Sequence, residues 1–301
     1  MQTNTDDFER IATHVSIISI IGNTLLSLFK AFAGLIAHSG AMISDAVHSA
    51  SDVISSIIVI IGVKLSAKES DKEHPYGHER FECVAAIILA VILFMTGLMI
   101  GMEALKDMIQ GKYQTLSIPG SIALIAAIVS IISKEAMYWY TRFYAIQYES
   151  SALMADAWHH RSDALSSIGA LIGIIGARMG YPVLDEVASF VICLFILKAA
   201  YDIFKDAINK MIDHACDENT QKALRQCASK QEGVLCIDVL QTRQFGNKIY
   251  VDIEIGADEN LTLNESHSIA ERVHNAIETK FPKVKHIMVH VNPMNKNNRS
   301  Y

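Results

Sequence analysis

The chain has 301 residues, 51% of them hydrophobic and 19% charged, with a net charge of −6. Soluble chains average about 25% charged residues, and no basic field is present, so disorder and nucleic-acid binding are both disfavoured. Five Cys with no CxxC pair argue against a disulfide framework and fit a reducing compartment.

Acidic Asp6, Asp7 and Glu9 come first. No basic stretch or cleavage site precedes the first apolar run, so that run is expected to stay in the membrane. It covers Val15 to Phe29 and continues past Lys30 to Ile36. About 39–66 is apolar but carries polar groups. Cys83 to Met102 is free of charge, and so is Ser117 to Ser133. A connection is expected at about Thr141 to Ser150, followed by two apolar segments with polar groups, 151–177 and 182–204. A spanning helix needs about 20 mainly apolar residues, which gives six transmembrane helices within residues 1–212. Lys64, Lys68, Lys72, Arg80, Lys205 and Lys210 lie on one side, against Lys106, Lys112 and Arg178 on the other. That bias puts both termini in the cytoplasm.

Residues 213–295 read as a soluble domain, with 296–301 as a tail. A helix is expected over 216–231, strands over Val234 to Gln244 and Ile249 to Ile255, and a turn at Phe245-Gly246-Asn247-Lys248. Tyr250, Asp252 and Glu254 alternate with Val251, Ile253 and Ile255, giving one wet and one buried face. Thr262 and Glu265 have capping-box spacing. The helix they open should run to about Phe281, and Ile287 to Val291 forms the last strand. The fold class is therefore an α-helical membrane protein with six transmembrane helices, plus a C-terminal α+β cytoplasmic domain of α-β-β-α-β order.

Two of the apolar segments share a pattern. Asp45 to Ser56 and Asp156 to Ser167 both read D-A-x-H-x-x-S-D-x-x-S-S. Positions i, i+3, i+4 and i+7 lie on one helix face. Asp45, His48 and Asp52 form one stripe, and Asp156, His159 and Asp163 form another. Two facing helices would then offer two imidazoles and two carboxylates, a donor set suited to tetrahedral Zn²⁺ and tolerant of related divalent ions. Polar residues that merely satisfy one another are the competing account. The cost of burying charge in a membrane makes two matched stripes hard to explain that way. His160 points off the stripe and is expected to pack. Asp45 and Asp156 either orient the imidazoles or carry protons, with the first role preferred.

With these motifs in view, the sequence resembles the cation diffusion facilitators, which are divalent-metal/proton antiporters. The resemblance implies a transport site of His48, Asp52, His159 and Asp163. It also implies a loop site at Asp71, His74 and His78, within Asp71-Lys72-Glu73-His74-Pro75-Tyr76-Gly77-His78. Arg80 and Asp213 match an interlock between membrane bundle and soluble domain. In the soluble domain, Asp238, Glu254, His267 and His290 match metal positions, although relatives with the best-defined binuclear site use mostly His, and Asn292 stands where they have Asp. Weaker binding there, a harder ion, or no binding are the three options this leaves.

The implied function is a homodimeric efflux transporter of the cell membrane that exchanges cytoplasmic Zn²⁺, or Fe²⁺ or Mn²⁺ in that order, for protons. The metal is its substrate, and no organic cofactor or nucleic acid is expected; lipid is its surroundings. A membrane-anchored sensor or scaffold is the alternative. An enzyme is not expected, because no His-Glu-x-x-His motif and no phosphate-binding loop is present.

Overall fold

The long apolar runs fold as helices. The computed structural model describes residues 2–36, 46, 49–50, 52–111, 121–178 and 184–295. Among the described residues, the first part contains the helices α1 (Gln2–Ile36), α2 (Val53–Ser66), α3 (Arg80–Gln110), α4 (Ser121–Tyr148), α5 (Ser151–Arg178) and α6 (Leu184–Met211). Gly111 ends α3 at φ 67°, its N–H donating to the Asp107 carbonyl, the left-handed cap that favours glycine.

The connection expected at Thr141 to Ser150 is much shorter than that. Helix α4 continues to Tyr148, and only Glu149 and Ser150 separate it from α5. Glu149 takes φ 53°. The Ser150 N–H donates to the Ala145 carbonyl at 3.0 Å, and its hydroxyl accepts from the Leu153 N–H at 3.2 Å. One residue thus closes α4 and caps α5.

Alanines and glycines bring the helices close together. Ala85, Ala86 and Ala90 of α3 meet Ala152 and Ala155 of α5 and Ala200 of α6 in one buried cluster. A Cβ on Gly97 would come within 2.9 Å of Ile196, and one on Gly101 within 2.5 Å of the Cys193 sulfur. Small residues four apart therefore let α3 and α6 approach each other. Large apolar side chains point outward instead: Leu25, Phe32, Met99, Ile132 and Phe195 are all exposed. Among the described residues, α1 (over Asp7–Ala33) and α3 are long and apolar enough to cross a membrane, and α2 is a shorter apolar helix. Helices α4 and α5 carry buried Lys134, Asp156 and Asp163.

A second compact unit begins at Asn209. It contains α7 (Glu218–Ser229), β1 (Cys236–Phe245), β2 (Lys248–Asp258), α8 (Leu263–Lys280) and β3 (Val284–Met294), the expected α-β-β-α-β order. The sheet order is β1-β2-β3. β1 and β2 are antiparallel, joined by a two-residue turn with Phe245 opposite Lys248. Gly246 supplies the left-handed φ of 62° at that turn. β3 returns parallel to β2 after α8. Val251, Ile253 and Ile255 pack against Leu224 of α7 and Ile269, Val273 and Ile277 of α8, so the two helices cover one sheet face. Tyr250 departs from the expected alternation: it is buried beside Phe245 and His286.

Candidate metal centre

Asp52 immediately precedes α2, with helical backbone angles. On α5, His159 and Asp163 are four residues apart and so share a face. The three ligand atoms of Asp52, His159 and Asp163 lie within 4.8 Å of one another, and all three residues are buried. His159 Nε2 is 3.4 Å from Asp52 Oδ1. Two carboxylate oxygens and one imidazole nitrogen thus converge from two helices, a donor set that suits a divalent cation. His48 and Asp45 lie outside the described residues.

Lys134 was missed by the sequence reading, which treated it as the end of an apolar run. It sits in mid-α4, 1% exposed. Its Nζ donates to Asp52 Oδ2 at 2.5 Å, Asp163 Oδ2 at 2.8 Å and Asn23 Oδ1 at 2.9 Å. All three ammonium protons are therefore used. Burying unpaired ions costs several kcal/mol each, and this arrangement pairs both carboxylates. A signal was available in the sequence: apolar residues resume at Ala136-Met137 beyond Lys134-Glu135, so the lysine interrupts a span rather than bounding it.

An aromatic clamp keeps α4 and α5 in register beside this centre. The Arg161 guanidinium lies 4.4 Å from the Tyr138 ring centroid and 3.6 Å from Glu135. One turn N-terminal to His159, Asp156 is fully buried. Its Oδ1 accepts from Ser55 at 3.1 Å and Ser56 at 3.4 Å. Its other oxygen lies 3.6 Å from His160 Nε2, and His160 in turn meets Ser19 Oγ at 3.2 Å. Asp156 therefore neighbours His160, which is fully buried off the ligand stripe.

A second cluster forms in the loop between α2 and α3. Pro75 and Gly77, the latter at φ 100°, fold the chain so that the His74 and His78 ring centroids are 4.5 Å apart. Asp71 reaches both, 3.5 Å from His74 Nδ1 and 3.5 Å from His78 Nε2. These three form the other group with metal-binding spacing among the described residues. The Lys68 ammonium, followed by the His74 and Glu73 amides, holds the Asp71 carboxyl well below the usual range, so it stays ionised. His78 is buried and His74 exposed, which leaves one side of the cluster open to water.

In the second unit, Asn292 Nδ2 donates to Asp238 Oδ2 at 2.9 Å and to Glu254 Oε2 at 3.1 Å. Glu254 pairs in register with His290. His267 lies on α8, 3.4 Å from Glu271. The four tail residues do not form a ligand cluster of metal-binding spacing among the described residues. Arg80 opens α3, and Asp213, at φ 61°, follows α6. They belong to different units.

Comparison with known proteins agrees with this architecture. A model of the cation efflux transmembrane domain matches residues 16–212, and one of the cation efflux protein cytoplasmic domain matches residues 216–294. The chain belongs to the cation efflux, or cation diffusion facilitator, family, a family of multi-pass membrane transporters rather than enzymes. It is similar to an uncharacterized transporter of Methanocaldococcus jannaschii, 36% identical over 275 residues, covering 91% of this chain and 96% of that one. Similarity to the manganese efflux system protein MneP of Bacillus subtilis is 30% over 292 residues, covering 95% and 97%. The magnetosome protein MamM of Paramagnetospirillum magneticum is 33% identical over 276 residues, covering 90% and 85%.

Proposed function

We propose that this chain exports a divalent metal ion from the cytoplasm in exchange for protons, through six membrane-crossing helices and by alternating access around the site of Asp52, His159 and Asp163. The observation that carries the reading is that site itself: three convergent ligands, buried, inside a bundle whose large apolar side chains face outward. Buried ionisable groups in a membrane segment are expensive and mark ion pathways. Contact order supports alternate crossings. Asp52 meets His159 and Asp163, whereas Ser55 and Ser56 meet Asp156, so α2 and α5 run in opposite directions. Gly97 and Gly101 meet Ile196 and Cys193 respectively, so α3 and α6 do as well.

His48 is the fourth ligand in this reading, placed by the repeat four residues before Asp52. Imidazole must be neutral and carboxylate ionised to hold a metal. Protons arriving from outside therefore compete with the ion and release it, and the returning carrier takes protons inward. Imidazole donors favour Zn²⁺ over Mn²⁺, which ranks Zn²⁺ first, then Fe²⁺, then Mn²⁺. Similarity to a protein named for manganese efflux keeps Mn²⁺ in the test. The remaining assignments are part of the same proposal. Asp71, His74 and His78 capture metal at the cytoplasmic face. Asp156 and Asp45 orient the site or carry protons. Arg80 and Asp213 interlock bundle and tail. Asp238, Glu254, His267 and His290 either bind metal weakly, take a harder ion or bind none; two copies pair through the cytoplasmic domain, and both termini lie on the cytoplasmic side of the cell membrane.

The test is metal uptake into proteoliposomes under an imposed pH gradient, with Zn²⁺, Fe²⁺ and Mn²⁺ offered separately. Gradient-dependent flux of Zn²⁺ is expected, abolished by Asp52→Ala and by His159→Ala. Stoichiometric binding without flux would instead make the protein a sensor. Flux indifferent to both substitutions would move the transport site elsewhere.

A further inference from the structure

Lys134 puts a fixed positive charge among the ligands of a site read as cation-binding. A structural brace would explain one ion pair. It does not explain why the ammonium divides its protons between one oxygen of Asp52, one oxygen of Asp163 and the amide oxygen of Asn23. Two of these acceptors are the carboxylates assigned to the metal, and the third is a neutral group on α1. Building on the reading of Asp52, His159 and Asp163 as the metal site, we propose that Lys134 is a tethered competitor: it holds the two carboxylates in the empty carrier, and an incoming divalent ion displaces it towards Asn23.

Charge arithmetic shows what this does. The two carboxylates carry −2, and Asp52, Asp163 and Lys134 together carry −1, before any proton that His159 takes up. The carrier must cross its conformational cycle without metal, and where the returning protons sit on imidazole the two adjacent carboxylates stay ionised in a low-dielectric interior, repel each other and lack solvation. The ammonium supplies that compensation from within the chain. It also sets a threshold. A monovalent ion gains no more Coulomb energy from the carboxylates than the ammonium already has, and it must compete with a group held at high effective concentration. A divalent ion gains twice as much and wins. Asn23 gives the displaced ammonium a hydrogen-bond acceptor without a charge that would pull it away in the empty state. Lys134 is therefore a positioning and selectivity residue, set against the metal rather than for it.

The sign of the effect separates this role from bracing. If Lys134 only braces the bundle, removing it loosens the ligands and weakens metal binding. If it competes, removing it strengthens binding. The experiment is calorimetric titration of the full-length chain with Zn²⁺, following the binding component that Asp52→Ala eliminates, in the wild type and in Lys134→Met, Lys134→Gln and Lys134→Arg. Met and Gln should bind Zn²⁺ about tenfold or more tightly than wild type, whereas Arg should stay at or below wild-type affinity. In proteoliposomes the Met and Gln variants should show a lower KM together with a lower kcat, because the metal leaves slowly and the empty carrier returns slowly. Na⁺ at high concentration should inhibit Zn²⁺ binding by these two variants more than by wild type. Unchanged or weaker Zn²⁺ binding in both overturns the proposal while leaving the metal site intact. If no Zn²⁺ component is sensitive to Asp52→Ala, the metal-site reading fails and this proposal falls with it. Gln keeps a polar head group and decides the question should the Met variant not fold.

Discussion

In the tail, Val251, Ile253 and Ile255 are buried while Asp252 and Glu254 face partly outward; in the bundle, Lys134, Asp52 and Asp156 are buried while Leu25, Phe32 and Met99 are exposed. The same residue types sit in opposite senses because the two units meet different solvents. Water rewards the tail for hiding hydrocarbon. Lipid offers no such drive between helices, so the bundle packs through small side chains and hydrogen bonds. Polar groups thus carry different weight in the two places. An acidic pair bridged by Asn292 on a half-wet sheet face is ordinary. Two aspartates and a lysine deep in a bundle are retained against a desolvation cost, and that cost is the argument for function.

The largest expected effect tests this inversion directly. Leu25→Asp and Leu263→Asp make the same change at residues exposed to 62% and 86%. A carboxylate on α1 would meet lipid, at about 2.5–3.5 kcal/mol near a helix centre, and should sharply reduce membrane insertion and recovered protein. Leu263 opens α8 in water, where an acidic first-turn residue is neutral or mildly favourable, within about 0.5 kcal/mol. Equal tolerance of both in an insertion assay would break the comparison.

Next comes packing. A Cβ at Gly101 or at Gly256 would lie 2.5 Å from a cysteine sulfur, of Cys193 and Cys236 respectively. Cys193 is 3% exposed between two helices and has nowhere to go. Cys236 is partly exposed, and the other close neighbour of Gly256 is the flexible Met294 side chain. Gly101→Ala should therefore destabilise the bundle by about 1–3 kcal/mol, and Gly256→Ala should cost the tail less. Thermal unfolding of the full chain, followed separately in each unit, checks the order.

A smaller effect sits at the tail's helix caps. Thr262 and Glu265 form a reciprocal capping box at the start of α8: the Thr262 hydroxyl accepts from the Glu265 N–H at 3.3 Å, and Glu265 Oε2 accepts from the Thr262 N–H at 2.8 Å. Thr262→Ala should cost about 1 kcal/mol, read as faster amide exchange in the first turn of α8. An unchanged exchange rate there would mean the cap contributes nothing.

What could be read from sequence follows the range of the interaction. The D-A-x-H-x-x-S-D repeat was visible because helical periodicity turns a local spacing into a shared face, and the Thr262/Glu265 cap and the Gly246 turn are local too. Lys134 was not visible as part of the site. Its partners Asn23 and Asp52 are 111 and 82 residues away, and only packing brings them near. The length of α4 was misjudged for the same reason. Lys134 and Glu135 interrupt the apolar run, but a helix tolerates buried charge when other helices supply the partners. Strand alternation failed at Tyr250, because β2 is the central strand and rings from Phe245 and His286 cover its second face.

The smallest effect is a pH dependence confined to the tail. Hydrogen bonds from the Thr220 hydroxyl and N–H, then from the Asn219 N–H, hold the Asp217 carboxyl below its ordinary value at the start of α7. The Thr262 N–H and hydroxyl do the same for Glu265 at α8. Each group binds a proton more readily in the unfolded chain than in the folded one, so stability rises with pH across that interval. The contribution is complete above the unfolded values, about 3.9 for Asp and 4.3 for Glu, and fades as pH falls through the lower folded values. Amide protection in the first turns of α7 and α8, corrected for intrinsic exchange chemistry, should therefore decline in acid below about pH 4. Glu265→Gln should remove that decline at α8 and leave it at α7, because an amide cannot gain the proton. A decline that persists at α8 in the Gln variant would assign the acid sensitivity to some other carboxylate.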